Sequence, residues 1–403
     1  MPHVRNRYLS QNLKKLTTFS PLVGVLGHRQ VGKTTLLSHF SRDYHTLDVK
    51  ELREQANKNP DQFVESLKGK LTVIDEAQLA PDLFSALKER VRKNQHPGQF
   101  ILSGSVRFTS KKTIRESLTG RIQYLELLPF SIAELEHEPL PDMAHRLLET
   151  SRVDILIQHL HHDQKSHKTK GRHIEAYLKH GGLPGLAFIR NEVAQRTKME
   201  DQIRTILDRD LRQIHATPLS YDRLLDFCGA LAANQGSSIH YSDIQKQTGL
   251  SPQTQQKLIY ALESVFVVRR LPIEGGMKGF TLLFEDQGES YYFTKNSLDR
   301  SIQLTHLLFR NIRTEFFYRL EKDVQFFQYR TRAGVFVPLA LRSHEKVIGF
   351  IPINGAQPTR EEKAAGDSFL RAYRDSKVIF FHEGAQSSAI DDRMIVLPIT
   401  QLV

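Results

Sequence analysis

The chain has 403 residues, of which 39% are hydrophobic and 25% are charged. This balance is typical of a water-soluble globular protein, and the length predicts two or three domains. A formal net charge of +11 favours an acidic partner, nucleic acid before an anionic membrane surface, although a basic solvated face would give the same charge. The single cysteine, Cys228, excludes a disulfide framework. The N-terminus has no apolar leader and no apolar run approaches the ~20 residues of a membrane span, so we expect no membrane partner and a cytoplasmic location, unless an unrecognised signal directs the chain elsewhere.

A phosphate-binding loop is predicted near the N-terminus, where residues 27–34 fit the pattern G-x-x-x-x-G-K-[ST]. The loop lies between an apolar run of strand type, residues 21–26, and a helix that continues through residues 34–40. Such a loop turns backbone N–H groups toward a polyphosphate at the helix N-terminus, where the dipole favours negative charge. A chance glycine turn with a stray lysine is the alternative. The residues predicted to bind nucleotide are Gly27, Arg29, Gln30, Val31, Gly32, Lys33, Thr34 and Thr35.

The roles expected within the loop follow from chemistry. Lys33 is placed to reach the β- and γ-phosphates, and the hydroxyl of Thr34 can ligate Mg²⁺. Downstream, an apolar strand over residues 71–74 ends in Asp75 and Glu76. Asp75 would complete the Mg²⁺ shell, and Glu76 would polarise the attacking water. Alternatively, this acidic strand end only caps the following helix. Together with the loop upstream, the acidic pair predicts ATP hydrolysis with Mg²⁺, and adjacent carboxylates suit water activation better than nucleotide kinase chemistry.

Two further elements are candidates for the same site. The strand predicted over residues 99–105 ends in Ser103 and Ser105, which would sense the γ-phosphate; a serine-rich turn is the alternative. Arg121 follows a helix and precedes an apolar strand, residues 122–127. Its guanidinium could stabilise charge on the transferring phosphoryl group, from its own chain or from a neighbour, but a surface salt bridge fits equally well.

These motifs in succession, GHRQVGKTTLL, VIDEAQLAPDLFSALK, FILSGS and ESLTGRIQYLELLPFSIAEL, resemble bacterial and archaeal ATPases of the AAA-like superfamily. Members of that family carry a C-terminal region that combines a winged helix with a nuclease-like domain of the PD-(D/E)XK type. The resemblance implies that ATP and Mg²⁺ are the cofactors and assigns the residues above to nucleotide, metal, acidic pair and sensor. It also supports Arg121, which lies in the family's Gly-Arg element. His28 stands where a proline is more common, which should change loop stiffness more than chemistry.

The predicted fold is therefore α/β: a P-loop NTPase parallel sheet with a helical lid, followed by a winged-helix domain and a C-terminal α+β nuclease-like domain. The sections are expected at residues 1–150, 151–217, 218–294 and 295–403. In the lid section, residues 159–173 contain His159, His161, His162, His167 and His173. Their spacing fits no zinc template, so a basic, mobile lid loop is favoured over a metal site. A helix stop is predicted at residues 181–184, and a long polar helix over residues 193–211.

The third section has the order of a winged helix. Helices are expected over residues 222–233, from a capping box at Ser242, and from Pro252, with Gly249 ending the second helix. Strands over residues 265–271 and 280–284 would form the wing. The third helix would contact the base edges and phosphates of DNA. The alternative is a winged helix used only for packing or protein contacts. The residues predicted to contact nucleic acid are Gln253, Gln255, Gln256 and Lys257.

The last section is similar in element order to the family's nuclease-like domain, with strands over residues 326–330, 335–341, 346–353 and 377–382 and helices over 311–320 and 361–373. The acidic positions of that family align with residues 336–338, residues 351–353 and Arg310, although Glu315 lies near the last. Apolar residues and prolines cannot ligate a hard cation, so we expect this section to cleave nothing.

Two function classes therefore remain. One is an ATPase that couples hydrolysis to movement of its C-terminal domains, acting on or with DNA. The other is an ATP-gated regulator that binds DNA or protein with negligible turnover. The sequence leaves open a homo-oligomer and a protein partner.

Overall fold

The structure is a computed structural model that describes residues 5–110, 122–158, 164–295, 297–321 and 323–403. Within these ranges the chain forms two compact units. The first unit takes the residues up to Pro129, together with Leu183–Tyr221 and Gln253–Val267. The second unit takes Phe130–Gly182, Asp222–Pro252 and Val268–Val403. The units thus interleave along the sequence, and their limits do not follow the four predicted sections.

The strands of the described chain are β1 Leu22–Leu26, β2 Asp43–Thr46, β3 Thr72–Asp75, β4 Phe100–Gly104, β5 Ile122–Glu126, β6 Val268–Glu274, β7 Phe280–Phe284, β8 Val324–Arg330, β9 Phe336–Ser343, β10 Lys346–Pro352, β11 Ser376–His382, β12 Ser388–Ala389 and β13 Met394–Pro398. Its α-helices are α1 Leu9–Thr17, α2 Lys33–Ser38, α3 Lys50–Lys58, α4 Pro60–Ser66, α5 Leu83–Lys93, α6 Ile132–Glu136, α7 Met143–Glu149, α8 Val153–Gln158, α9 Gln164–His180, α10 Pro184–Ala187, α11 Glu192–Thr205, α12 Leu211–Ile214, α13 Tyr221–Ala233, α14 Tyr241–Thr248, α15 Pro252–Ser264, α16 Gln287–Thr294, α17 Arg300–Phe317 and α18 Arg360–Ala372. None of these described helices is long and apolar enough to span a bilayer.

The first unit is built on a five-stranded parallel sheet with the order β2-β3-β4-β1-β5. Every residue of β1, β3 and β4 is buried, as expected of strands in the middle of a parallel sheet that is covered on both faces. Because β4 lies between β1 and β3, the ends of these three strands meet at one edge of the sheet. This edge carries the predicted loop, the predicted acidic pair and the two serines.

Helix α5 shows how the unit closes over its sheet. The helix buries Leu83, Phe84, Leu87 and Val91, as its 3.6-residue periodicity predicts, and these side chains join one apolar cluster with strand residues such as Leu102. Helix α4 begins with Pro60 at its first position, and Asn59 occupies the N-cap. Proline suits that position because its missing N–H would have no partner there.

The second unit contains an eight-stranded mixed sheet with the order β12-β13-β11-β10-β9-β8-β6-β7. Helix α17 is buried along most of its length, and its apolar side chains share a core with inward-facing residues of β9, β10, β11 and β13. A second cluster, which includes Phe369 of α18, Phe380 and Val396, covers another part of the sheet. Helix α16 and the strands β12 and β13 were not predicted from the sequence.

The predicted winged helix is only partly recovered. Three helices and an antiparallel pair occur in the expected order, but the pair β6 and β7 begins at Val268 and continues into the large sheet through β8. Helix α14 begins at Tyr241 without a side-chain cap, so the capping box expected at Ser242 is wrong. Gly249 does end that helix, with φ of 69°. A winged-helix domain is therefore not confirmed.

The histidine-rich segment and the last section of the chain differ in part from what the sequence predicts. Residues 159–163 and Arg121 lie outside the described residues. From Gln164 onward the histidine-rich segment is helical, so the loop expected through His173 is wrong; His173 Nδ1 lies 2.6 Å from Glu136 Oε1. In the last section, residues 336–338 lie on β9 and supply no carboxylate. Arg310 and Glu315 lie on α17 and are buried. A nuclease-like fold is not confirmed.

Candidate nucleotide-binding site

The loop between β1 and α2 has the backbone that a phosphate cradle needs. A Cβ at Gly27 would lie 2.4 Å from the carbonyl oxygen of Leu127, so only glycine fits there. Gly32 adopts φ of +96° immediately before the first residue of α2, a conformation that L side chains rarely adopt. The buried Arg7 donates to Val31 O at 2.9 Å and also to Leu128 O. Both glycines are thus required by local geometry, and Arg7 anchors the loop.

Lys33 lies inside this loop. Its side chain is buried, and its ammonium donates to the carbonyl oxygens of Gly27, at 3.0 Å, and His28, at 2.9 Å. Burial lowers the pKa of Lys33, whereas the carboxylates of Glu76, Asp75 and Asp210 act in the opposite direction. The ammonium is therefore held at the centre of the loop, close to the acidic end of β3.

Asp75 joins three parts of the unit. Its Oδ2 accepts from Thr34 Oγ1 at 2.9 Å and from the hydroxyl of Tyr44. Its Oδ1 accepts from Ser103 Oγ and from the backbone N–H of Glu76 at 3.1 Å. The carboxylate thus contacts α2, β2 and β4 from the end of β3, as the sheet order requires.

Glu76 follows directly but points elsewhere. It adopts φ of 54° and ψ of 40°, a left-handed conformation that is uncommon for a residue with a Cβ. Its Oε2 accepts from Ser105 Oγ at 3.2 Å and from Gln78 Nε2. Strained conformations of this kind cost about 1–3 kcal/mol and cluster at functional sites. The turn separates two adjacent carboxylates, one against Thr34 and one against Ser105.

The donor set fits magnesium. The hydroxyl of Thr34 and the carboxylate of Asp75 supply hard oxygen ligands, and their oxygens are in hydrogen-bond contact, so both are close enough to bind one cation. Among the described residues no group of three or more His, Cys, Asp or Glu side chains could enclose a metal ion. A cation held here would take its other ligands from phosphate oxygens and water, which is how Mg²⁺ is usually bound beside nucleotides.

The other predicted loop residues are also placed. Arg29 extends to Asp210, with Nη1 at 3.2 Å from Oδ2. Gln30 is exposed and has φ of 59°, Val31 is buried, and Thr35 is exposed on α2. The structure therefore brings Lys33, Thr34, Asp75, Glu76, Ser103 and Ser105 together, as predicted, while their roles stay predictions.

Three residues that the sequence patterns did not predict also contribute to the site: Arg7, Tyr44 and Asp210. Burial, with the hydrogen bond to Asp75, raises the pKa of Tyr44 above its usual value, so its hydroxyl keeps the proton that it donates to Asp75. Tyr44 lies on β2, and its position beside Asp75 follows from the parallel pairing of β2 with β3. Arg7 and Asp210 are far from the motifs in sequence, and no local signal marks them.

The residues predicted to contact nucleic acid lie on α15. Gln253, Gln256 and Lys257 are exposed, and the neighbouring Tyr260 is 47% exposed. Gln255 is completely buried, so the prediction that its amide meets a base edge is wrong. The helical period turns Gln255 away from the face that carries the other three residues.

Comparison with known proteins adds two family matches. Residues 20–136 match an AAA domain family, and residues 171–273 match a domain of unknown function, DUF8612. Neither description names a winged helix or a nuclease. The first match contains the loop, the acidic pair and the serines, so this part of the chain is similar to AAA domains.

Two curated relatives are uncharacterized proteins of Mycobacterium tuberculosis and Mycobacterium bovis. Each is 25% identical over 271 residues, which is 66% of this chain and 53% of the relative. The chain thus spans about half the length of these relatives. Among solved structures, the Walker-type ATPase of Pyrococcus abyssi is 16% identical and matches with a TM-score of 0.43, covering 72% of this chain and 96% of that one.

Proposed function

We propose that this protein binds ATP with Mg²⁺ and hydrolyses it at the carboxyl edge of the five-stranded sheet. One observation carries the proposal: Lys33, Thr34, Asp75 and Glu76, from two separate parts of the sequence, converge at that edge. The AAA domain match over residues 20–136 supports it independently of the geometry.

Each side chain then has a definite task. The ammonium of Lys33 would exchange its two carbonyl partners for phosphate oxygens, and the N–H groups at the start of α2 would bind the same anion. Thr34 and Asp75 would hold the magnesium ion, which when bound withdraws charge from the phosphate oxygens. Glu76 would accept the proton of the attacking water, and Ser103 and Ser105 hold the two acids in position.

Coupling to the rest of the chain would begin just after β4. The backbone N–H of Arg107 donates to Ser264 O at 2.8 Å, and its Nε donates to Glu263 O at 3.0 Å. Its guanidinium also lies over the ring of Phe266, 4.4 Å from the centroid. A change at Ser105 would therefore reach the end of α15 within two residues of chain.

DNA is the partner that we propose for α15. Its exposed face offers two amides, an ammonium and an aromatic ring, from Gln253, Gln256, Lys257 and Tyr260. Amides and cations read base edges and phosphates, and the net charge of +11 favours a polyanion. In this proposal, hydrolysis moves the C-terminal sections while the protein acts on or with DNA.

An ATP-gated regulator is the second candidate, favoured by the hydrogen bonds that Glu76 accepts from Gln78 and Ser105. A carboxylate engaged in this way is a poor base until those bonds break, so turnover would be slow. Such a protein would use ATP binding to change its hold on DNA or on a protein partner, and hydrolysis only to reset it.

Calorimetry and phosphate release test the site. We expect wild-type protein to bind ATP with Mg²⁺, Lys33→Ala to lose binding, and Glu76→Gln to keep binding while hydrolysis falls by about 10² to 10⁴-fold. Lys58→Ala, an exposed lysine on α3, is the matched control and should behave as wild type. Absence of ATP binding by the wild-type protein would exclude the proposal.

Adding DNA to the same assay separates the two candidates. Strong stimulation with many turnovers supports the coupled ATPase. DNA retention that requires ATP, with negligible phosphate release, supports the regulator.

A further inference from the structure

We propose that the turn of π-helix at Ile206–Asp210 is a built part of the nucleotide site, in which Arg209 supplies a guanidinium to the triphosphate and Asp210 positions Arg29. The proposal rests on the ATP site proposed above and adds two residues to it. Neither belongs to any motif of the first 150 residues.

The turn interrupts an otherwise continuous helix. Helix α11 ends at Thr205, the π-helical residues follow, and α12 begins at Leu211. A π turn inserts one extra residue into the helix, which weakens local hydrogen bonding and is frequent at functional sites. Here Ile206, Leu207 and Leu211 stay buried, while Arg209 and Asp210 both engage charged partners.

Asp210 contacts the phosphate loop directly. Its side chain is only 3% exposed, and both carboxylate oxygens accept from Arg29 Nη1, at 3.2 and 3.4 Å. Burying an unpaired carboxylate costs free energy, so Asp210 favours the conformation in which Arg29 pairs with it. The guanidinium of Arg29 is thereby fixed beside the loop, and the field of Asp210 extends to Lys33.

Arg209 extends toward the sheet edge. Its Nη2 donates to Asp48 Oδ1 at 2.8 Å, and its Nε lies 3.8 Å from Asp210 Oδ1. Asp48 follows β2, the strand whose Tyr44 donates to Asp75. Burial alone would lower the pKa of Arg209, but Asp48, Asp210 and Glu76 raise it. Its side chain remains 37% exposed, so a ligand at the edge can reach it.

The resulting chain of charges runs from Asp48 through Arg209 and Asp210 to Arg29. It joins the end of β2, the π turn and the phosphate loop. A guanidinium stays charged at every working pH and binds phosphate oxygens through a rigid fork, which a lysine cannot reproduce. An arginine that meets the transferring phosphoryl group contributes about 10³ to 10⁵ in kcat in related chemistry.

Nucleotide affinity tests Arg209. Kd values are measured by calorimetry for ADP and for a non-hydrolysable ATP analogue, with Mg²⁺ present. We expect Arg209→Ala to weaken binding of the triphosphate analogue by about tenfold or more and to leave ADP binding nearly unchanged. Arg209→Lys should have an intermediate effect. Arg196→Ala, on the preceding helix α11 and with a 76% exposed side chain, is the control and should match wild type for both ligands.

Asp210→Asn tests the positioning role. We expect the ratio of the ADP Kd to the triphosphate Kd to fall and kcat to decrease, because Arg29 would no longer be held in position. The melting temperature should stay close to that of the wild-type protein. If wild-type protein binds ATP while Arg209→Ala matches Arg196→Ala, or loses ADP and triphosphate equally, the inference is wrong and the site proposal stands. If wild-type protein binds neither ligand, the proposed function fails first.

Discussion

Asp75 and Glu76 are neighbours in sequence that have different surroundings. Asp75 completes a buried strand, whereas the left-handed backbone at Glu76 turns its side chain toward Ser105. Motif spacing predicted both acids because such positions are set by local chain geometry. Asp210 and Arg7 could not be predicted as site residues, because their contacts span 181 and 24 residues of sequence and produce no local sequence pattern.

Glu315 provides a pH prediction at the same scale. Its buried carboxyl accepts from the backbone N–H groups of Ala144, at 3.2 Å, and His145, at 2.6 Å. Burial raises its pKa to about 7 from the usual 4.5, although those hydrogen bonds oppose the shift. The folded protein thus holds the proton more tightly than the unfolded chain. The stability contributed by the protonated form is complete below pH 4.5 and is lost as pH rises through about 7.

Glu315→Gln should therefore flatten the pH dependence of stability. The group contributes a decline of about 3 kcal/mol across that window, at about 1.4 kcal/mol for each pKa unit, and the variant should lack it. Urea unfolding of both proteins between pH 4.5 and 8 measures the difference. Glu345→Gln, at an exposed position, should keep the wild-type slope. Parallel curves for wild type and Glu315→Gln would contradict the assignment.

At the scale of elements, strands were easier to predict than their partners. The apolar runs of β1 and β4 are local patterns that predicted both strands, and the structure confirms them. Pairing is not local: β6 was expected in a separate wing, yet it joins β8 in a larger sheet. The π turn was also not predicted, because the sequence pattern of residues 193–211 is that of one uninterrupted polar helix.

Arg107 gives the prediction at this scale. Truncation to alanine removes its contacts with Glu263 O, with Phe266 and with Glu126, which lies 3.5 Å from its Nη1, while Ser105 and the acids remain. If α15 senses the nucleotide through this link, Arg107→Ala should lower the ratio of DNA-stimulated to basal hydrolysis several-fold. Phosphate release with and without DNA measures that ratio. Arg92→Ala, an exposed arginine on α5, should preserve it, and an unchanged ratio in Arg107→Ala would exclude the route.

At the scale of the whole molecule, the chain returns to its first unit twice after leaving it. The second return, residues 253–267, brings α15 into the unit that holds the proposed ATP site. The sequence-based division into four consecutive sections could not predict these returns, because it assumes that each domain is a continuous segment of the chain. The AAA match ends at residue 136, and the two later segments of the first unit fall within residues 171–273, which match the domain of unknown function.

A net charge of +11 has a measurable consequence if DNA is the partner. Affinity should fall steeply with salt, because each phosphate contact releases counterions. Lys257→Ala should weaken binding to all sequences alike and reduce the slope of log K against log salt by about 1, whereas Gln256→Ala should change discrimination between sequences by about 1–3 kcal/mol. Fluorescence anisotropy at several salt concentrations gives both quantities. Lys50→Ala, a 73% exposed lysine on α3, should leave them unchanged, and identical slopes for Lys257→Ala and Lys50→Ala would place the DNA contact elsewhere than α15.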